Sequence, residues 1–318
     1  MTTLIEQLAF SASITGPICL MLFLGVLLKR IRLINENFID IASKLVFQVT
    51  LPAMLFLSIV QAEHDFSKSG NLVFFGLVVN ALFFLFTMLV TKRVFREPKD
   101  QGVIIQGGFR ANTAIIGLAY VANIYGESGV ALAAIYVAST TVLYNIQAVI
   151  ALSPTEQGFG AQAVKVIGKT LTRNPLIISI LLGVIAYSLS IPIPNVAIDA
   201  GQYFADMTLP LALLCTGGSL NIQSLKHDRA PTWFASCFKL ILAPVTATLA
   251  AVAFGYHGQE LGLIFLMTAA PTAAASYVMA RAMGGNATLA ANIIALTTVL
   301  SLITCTLGIF TLSALKLI

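Results

Sequence analysis

The chain has 318 residues, 58% of them hydrophobic and only 10% charged, with a mean hydropathy of +0.92 and a formal net charge of +5. Soluble domains carry about 25% charged residues, so this composition excludes a soluble globular protein. It indicates an all-α polytopic membrane protein with the lipid bilayer as its surroundings. The positive balance reflects lysines and arginines crowded on one membrane face and argues for no nucleic-acid partner.

Ten apolar spans follow one another, at 7–29, 36–61, 69–93, 102–125, 128–152, 170–191, 195–220, 232–255, 259–282 and 288–315. Each can cross a hydrocarbon core about 30 Å thick as a helix. The first is preceded by Met1-Thr2-Thr3-Leu4-Ile5-Glu6, which has no basic segment of the signal-peptide kind. The connections are short and leave no room for a soluble domain. Cys19, Cys215, Cys237 and Cys305 stand singly in apolar segments, so they read as packing residues. His64, His227 and His257 fall in connections without an HxxxH partner, and no metal or cofactor is expected. The chain has no GxxxxGK[ST], GxSxG or HExxH motif, which leaves neither an ATP site nor an enzyme to argue for.

Orientation follows from the basic residues. The connections after spans 1, 3, 5, 7 and 9 carry thirteen: Lys29, Arg30, Arg32, Lys92, Arg93, Arg96, Lys99, Lys165, Lys169, Arg173, Lys226, Arg229 and Arg281. The other face has Lys68 and Lys316. The positive-inside rule then puts the odd connections in the cytoplasm and both termini outside, in a multi-pass plasma membrane (bacterial inner membrane) protein. Lys165, Lys169 and Arg173 recur every four residues beside Val164, Ile167 and Leu171, as in an amphipathic turn on an anionic membrane face or a solvated helix start.

The chain repeats itself. Shifted by 158 positions, Pro17 falls on Pro175, Leu24-Gly25-Val26 on Leu182-Gly183-Val184, Thr50-Leu51-Pro52 on Thr208-Leu209-Pro210 and Gly126 on Gly284. Thr140-Thr141-Val142-Leu143 meets Thr297-Thr298-Val299-Leu300 at a shift of 157. The halves are 1–152 and 164–318, with a cytoplasmic linker at 153–163. Five spans per half is an odd number, so the second half is inverted. Inverted repeats are common in secondary transporters, with the site at the repeat interface near the midplane.

Spans 4 and 9 are interrupted at matching positions. Span 4 holds Gly107, Gly108, Arg110 and Asn112 at its centre, and span 9 holds Pro271. Glycines weaken a helix and proline removes one of its hydrogen bonds. An arginine at the centre of a membrane helix costs about 2.5–3.5 kcal/mol to insert. It therefore marks either a substrate path or a buried pair with an acid. Two half-helix N-termini aimed at one spot suit an anion. Asn112, Thr113, Thr272, Ser276 and Tyr277 flank the breaks, and Asn145 in span 5 lies at similar depth. Asp206, about one turn before Pro210, could carry a coupling proton or neutralise Arg110. Lys44 and Lys239 could snorkel to the surface. Pro52 and Pro210 read as kinks or scaffold breaks.

Arg110-Ala111-Asn112-Thr113-Ala114-Ile115-Ile116-Gly117-Leu118 resembles the RxNTxxxGL segment of the auxin efflux carrier family. Asn174-Pro175-Leu176, the run Leu209-Pro210-Leu211-Ala212-Leu213-Leu214 before Gly217-Gly218, and Pro271-Thr272-Ala273 before Tyr277-Val278 resemble further family segments across nearly the whole chain. The family includes malonate- and malate-type bacterial carriers, and the chain looks like a prokaryotic member. The resemblance implies ten helices in a 5+5 inverted repeat, related to bile-acid symporters and sodium–proton antiporters. It implies a scaffold of spans 1, 2, 6 and 7, a moving domain of spans 3–5 and 8–10, and crossing broken helices 4 and 9. Asn112 and Pro271 become the crossover residues, and a homodimer is implied. The expectation is an elevator-type carrier of small organic anions, carboxylates above all, with proton or sodium coupling. A sodium-coupled symporter of the bile-acid type is the alternative.

Overall fold

A computed structural model describes residues 4–61, 69–152, 173–220 and 229–318. The 153–163 linker, Lys68, Lys226 and the Lys165/Lys169 turn lie outside the described residues. All regular structure among the described residues is helical. The helices are α1 (Leu4–Arg30), α2 (Glu36–Leu45), α3 (Leu51–Val60), α4 (Ser69–Val94), α5 (Pro98–Phe109), α6 (Leu118–Leu152), α7 (Pro175–Ser188), α8 (Asn195–Ser219), α9 (Arg229–Cys237), α10 (Ala243–Ala253), α11 (Gly258–Ala269), α12 (Ala275–Ala282) and α13 (Ala287–Ala314). Within the described residues the apolar stretches of the sequence fall mostly on helix. Among the described residues, six stretches are long and apolar enough to cross a membrane: Ala9–Arg30, Glu36–Val60, Gly70–Val94, Thr113–Leu152, Ala230–Ala253 and Ala287–Ala314. The chain is a multi-pass membrane protein.

The outer surface fits a lipid solvent. Leu20, Phe23, Phe74, Leu82, Leu181, Leu249 and Ile303 are all exposed. On a soluble protein such faces would drive association; in hydrocarbon they are the expected contact. With no hydrophobic force between helices in lipid, close approach of small residues does the packing. α1 lies against α8 in this way. A Cβ on Gly25 would sit 2.1 Å from the Leu214 carbonyl oxygen, and one on Gly217 2.0 Å from that of Leu22. The two backbones are in contact where each helix supplies a glycine.

Short π-helical turns join α2 to α3 (Val46–Thr50) and α9 to α10 (Phe238–Leu242). Each ends two residues before a proline, Pro52 or Pro244. A proline ring clashes with the carbonyl four residues back, here Gln48 or Leu240, and both lie in the widened turn. Pro52 thus accounts for a local irregularity inside one continuous span. Pro210, expected to break or kink its span, sits inside the helix α8. Gly126, with φ 59° and ψ −151°, divides α6 into two helices between the fourth and fifth spans.

Candidate functional site at a helix crossing

α5 and α11 both stop inside the protein. Ala270, forced from the helical region by the proline after it, has φ −56° and ψ 143°. Arg110 is extended at φ −77° and ψ 107°, and Asn112 has φ −81° and ψ 65°. The two interruptions pass antiparallel and pair at Ala111 and Thr272. The Asn112 N–H donates to the Pro271 carbonyl at 2.7 Å, and the Ala273 N–H to the Arg110 carbonyl at 3.1 Å. Backbone groups freed by one break are thus satisfied by the other, as a buried interruption requires.

The carbonyls at the ends of both half-helices are served by side chains. The Thr272 hydroxyl donates to the Gly107 carbonyl at 2.7 Å, closing the end of α5. The Lys239 ammonium donates to the Thr268 carbonyl at 2.6 Å, closing the end of α11. Thr272 also donates its N–H to the Thr297 hydroxyl at 3.2 Å. Pro271 and Thr272 are therefore engaged in building the crossing. Gly107 and Gly108, expected to loosen the helix, lie within α5, and the chain leaves the helix only at Arg110. They serve close packing instead: a Cβ on Gly107 would meet Ile293 Cγ2 at 2.8 Å, and one on Gly108 would meet Thr87 Cγ2 at 3.0 Å.

Beyond the crossing the helices restart. A π-helical turn, Thr113–Gly117, leads into α6, and α12 begins at Ala275; neither start has a side-chain cap. Ala274 and Ala275 are exposed, so the start of α12 opens outward. Asn112 and Thr113 are buried at the start of the first. Arg110 is 6% exposed. Its Nη2 donates to Asn145 Oδ1 at 3.0 Å, its Nη1 to the Met279 sulfur at 2.7 Å, and its Nε has no partner. Ser276 is buried with an unpartnered hydroxyl. Tyr277, its neighbour in sequence, is exposed. The next residue to Asn145, Tyr144, receives the Asn80 amide at 3.1 Å and packs its ring on Phe109.

Arg110 forms no pair with Asp206. Asp206 lies on an exposed face of α8, where its carboxylate accepts from Gln202 Nε2 at 2.8 Å. Among the described residues the buried charged side chains are Arg110 and Lys239, and no aspartate or glutamate is buried. The site is an electropositive, solvent-poor junction whose guanidinium rests on neutral partners.

A profile for a family described as membrane transport proteins matches residues 15–309. An uncharacterized transporter of Methanothermobacter thermautotrophicus is 24% identical over 293 residues, covering 90% of this chain and 93% of its own length. Another, from Methanocaldococcus jannaschii, is 25% identical over 299 residues, covering 90% and 94%. The chain belongs to this membrane transport protein family, that of the auxin efflux carriers. It is a membrane transporter.

Three residues of the transporter's crossing escape the sequence reading. Lys239 does not snorkel; it is 1% exposed and locked on Thr268. Its signal is Ala235 and Ala243, one turn to either side and both buried, because small residues at that spacing mark a packed membrane-helix face. Gln106 is buried on the last turn of α5, and Met279 bridges it and Arg110. Nothing in an isolated glutamine or methionine distinguishes it from packing residues.

Proposed function

We propose that this transporter is a secondary carrier of small organic anions, carboxylates in particular, binding them at the crossing beside Arg110. The carrying observation is a buried guanidinium with no buried carboxylate among the described residues to neutralise it. An uncompensated buried charge costs several kcal/mol. An anionic ligand recovers that cost, and a carboxylate matches the fork of an arginine. Asn145 holds the guanidinium, Ser276 offers a free hydroxyl, and Asn112 and Thr113 stand at a helix start that favours negative charge.

In this reading the ten spans form a 5+5 inverted repeat, with both termini outside the plasma membrane and the crossing as the pseudo-symmetric centre. Spans 1, 2, 6 and 7 form the fixed scaffold, and a domain of spans 3–5 and 8–10 carries the bound anion across by elevator-type alternating access. The near-constant sequence shift and the paired interruptions support it. The test is a melting-temperature screen of the purified transporter against mono- and dicarboxylates at constant ionic strength. At least one carboxylate should raise the melting temperature of the wild type, since ligand binding stabilises by mass action, and should leave Arg110→Ala unmoved. An equal shift in Arg110→Ala would remove Arg110 from the site.

A further inference from the structure

Arg110 is a strong, permanently charged donor, yet one of its two partners is a thioether, which is among the weakest acceptors a protein offers. The Met279 sulfur takes the Nη1 donor at 2.7 Å and also receives Gln106 Nε2 at 3.7 Å. Around it several polar atoms are unspent: Arg110 Nε, Gln106 Oε1 and the Ser276 hydroxyl are all buried and without partners. Ser276 and Met279 are three residues apart on α12, so their side chains share one face of that helix. Arg110, Gln106 and Ser276 are buried, whereas Met279 is partly exposed. The methionine is thus the member of the group that reaches the outside, standing over the guanidinium. Its unbranched chain has three rotatable bonds and moves at low cost.

We infer that Met279 is a placeholder for the transported anion. In the empty site its sulfur occupies the acceptor position on Arg110. An entering carboxylate displaces the sulfur, takes the Nη1 donor and receives the Ser276 hydroxyl. Met279 thereby sets the affinity of the site by competing with the substrate. This rests on the carboxylate reading of the crossing and adds to it the residue that tunes binding.

The placeholder role makes two similar-sized substitutions act in opposite directions. Met279→Leu keeps the bulk but removes the acceptor, so the empty site is less stable and the carboxylate meets no competitor. Its affinity should rise about five-fold, the equivalent of one ordinary hydrogen bond. Met279→Gln puts a better acceptor, an amide oxygen, at the same reach, and affinity should fall by a comparable factor. Dissociation constants for malonate, succinate and acetate, taken from ligand-dependent melting of wild type and both variants in detergent, decide it. A tighter Leu variant with a lower ligand-free melting temperature, together with a weaker Gln variant, supports the placeholder. Two variants that shift in the same direction, or neither shifting while the wild type binds, overturn it and leave Met279 as packing. No response of the wild type to any of the three acids would bring down the carboxylate reading itself, and this inference with it.

Discussion

Arg110 and Lys239 are both buried cations at the crossing, yet their surroundings assign them different work. The Lys239 ammonium is spent on the Thr268 carbonyl at the end of α11, where the negative end of the helix dipole favours a cation. Arg110 has a donor with no partner and another resting on sulfur. Lys239→Ala should therefore lower stability by about 1–3 kcal/mol through the lost hydrogen bond and the vacated space, seen as the same drop in melting temperature with and without carboxylate. Arg110→Lys should instead leave the ligand-free melting temperature nearly unchanged and weaken carboxylate binding by about 1–3 kcal/mol, since the charge stays but the fork is lost. Asp206→Asn should alter stability by no more than about 0.5 kcal/mol, as for other exposed positions; a loss of several kcal/mol would restore a pairing with Arg110. Arg110 is legible in the sequence because a mid-span arginine has so few explanations. Lys239, seven residues into span 8, is not, because a lysine at that depth can usually extend to the surface. The pairing of Asp206 with Arg110 misleads for a related reason: the residue's place along the helix can be read, but the face it occupies cannot.

Among elements, helix extents follow hydropathy closely, since hydrocarbon leaves the backbone no partner but itself. The breaks are legible to within a few residues. Pro271 marks the second because its ring and missing N–H force the chain out of the helix. For the first, Gly107-Gly108 points to the right place for the wrong reason. Packing against Ile293, Thr87 and Phe238 holds both glycines in the helix, and the break follows them. The same logic separates glycines elsewhere. Gly16 and Gly217 both lie in long helices, but a Cβ on Gly16 meets nothing within 4 Å, whereas one on Gly217 would strike the α1 backbone at Leu22. Gly217→Ala should lower stability by about 1–3 kcal/mol or more by overpacking. Gly16→Ala should be neutral or raise it by up to about 1 kcal/mol, the usual preference for alanine in a helix. Detergent melting of the two variants side by side checks the α1–α8 contact.

At the scale of the whole molecule, topology follows from the charge bias and the repeat. The thirteen-to-two distribution of basic residues predicts that reporters fused after Arg96 and after Arg281 report the cytoplasm, and one fused at Lys316 reports the outside. A cytoplasmic signal at Lys316 would contradict the outside placement of the termini; the inverted arrangement itself requires only that the termini share one face and the midpoint lie on the other. What could not be read from the sequence is the mutual satisfaction at the centre. The bonds from Asn112 to Pro271, Ala273 to Arg110 and Thr272 to Gly107 join residues more than 150 positions apart, and no local pattern encodes them. Those bonds hold Arg110 buried without an acid, and that is the centre of the account. Counterflow exchange tests it most directly, because exchange needs no ion gradient. Proteoliposomes of wild type and Arg110→Ala, matched for inserted protein, would be loaded with the carboxylate that most raises the wild-type melting temperature and given the same compound labelled outside. Wild type should accumulate label transiently, and Arg110→Ala should fall to the level of empty liposomes. Equal exchange by the two proteins would contradict the claim that Arg110 holds the transported anion.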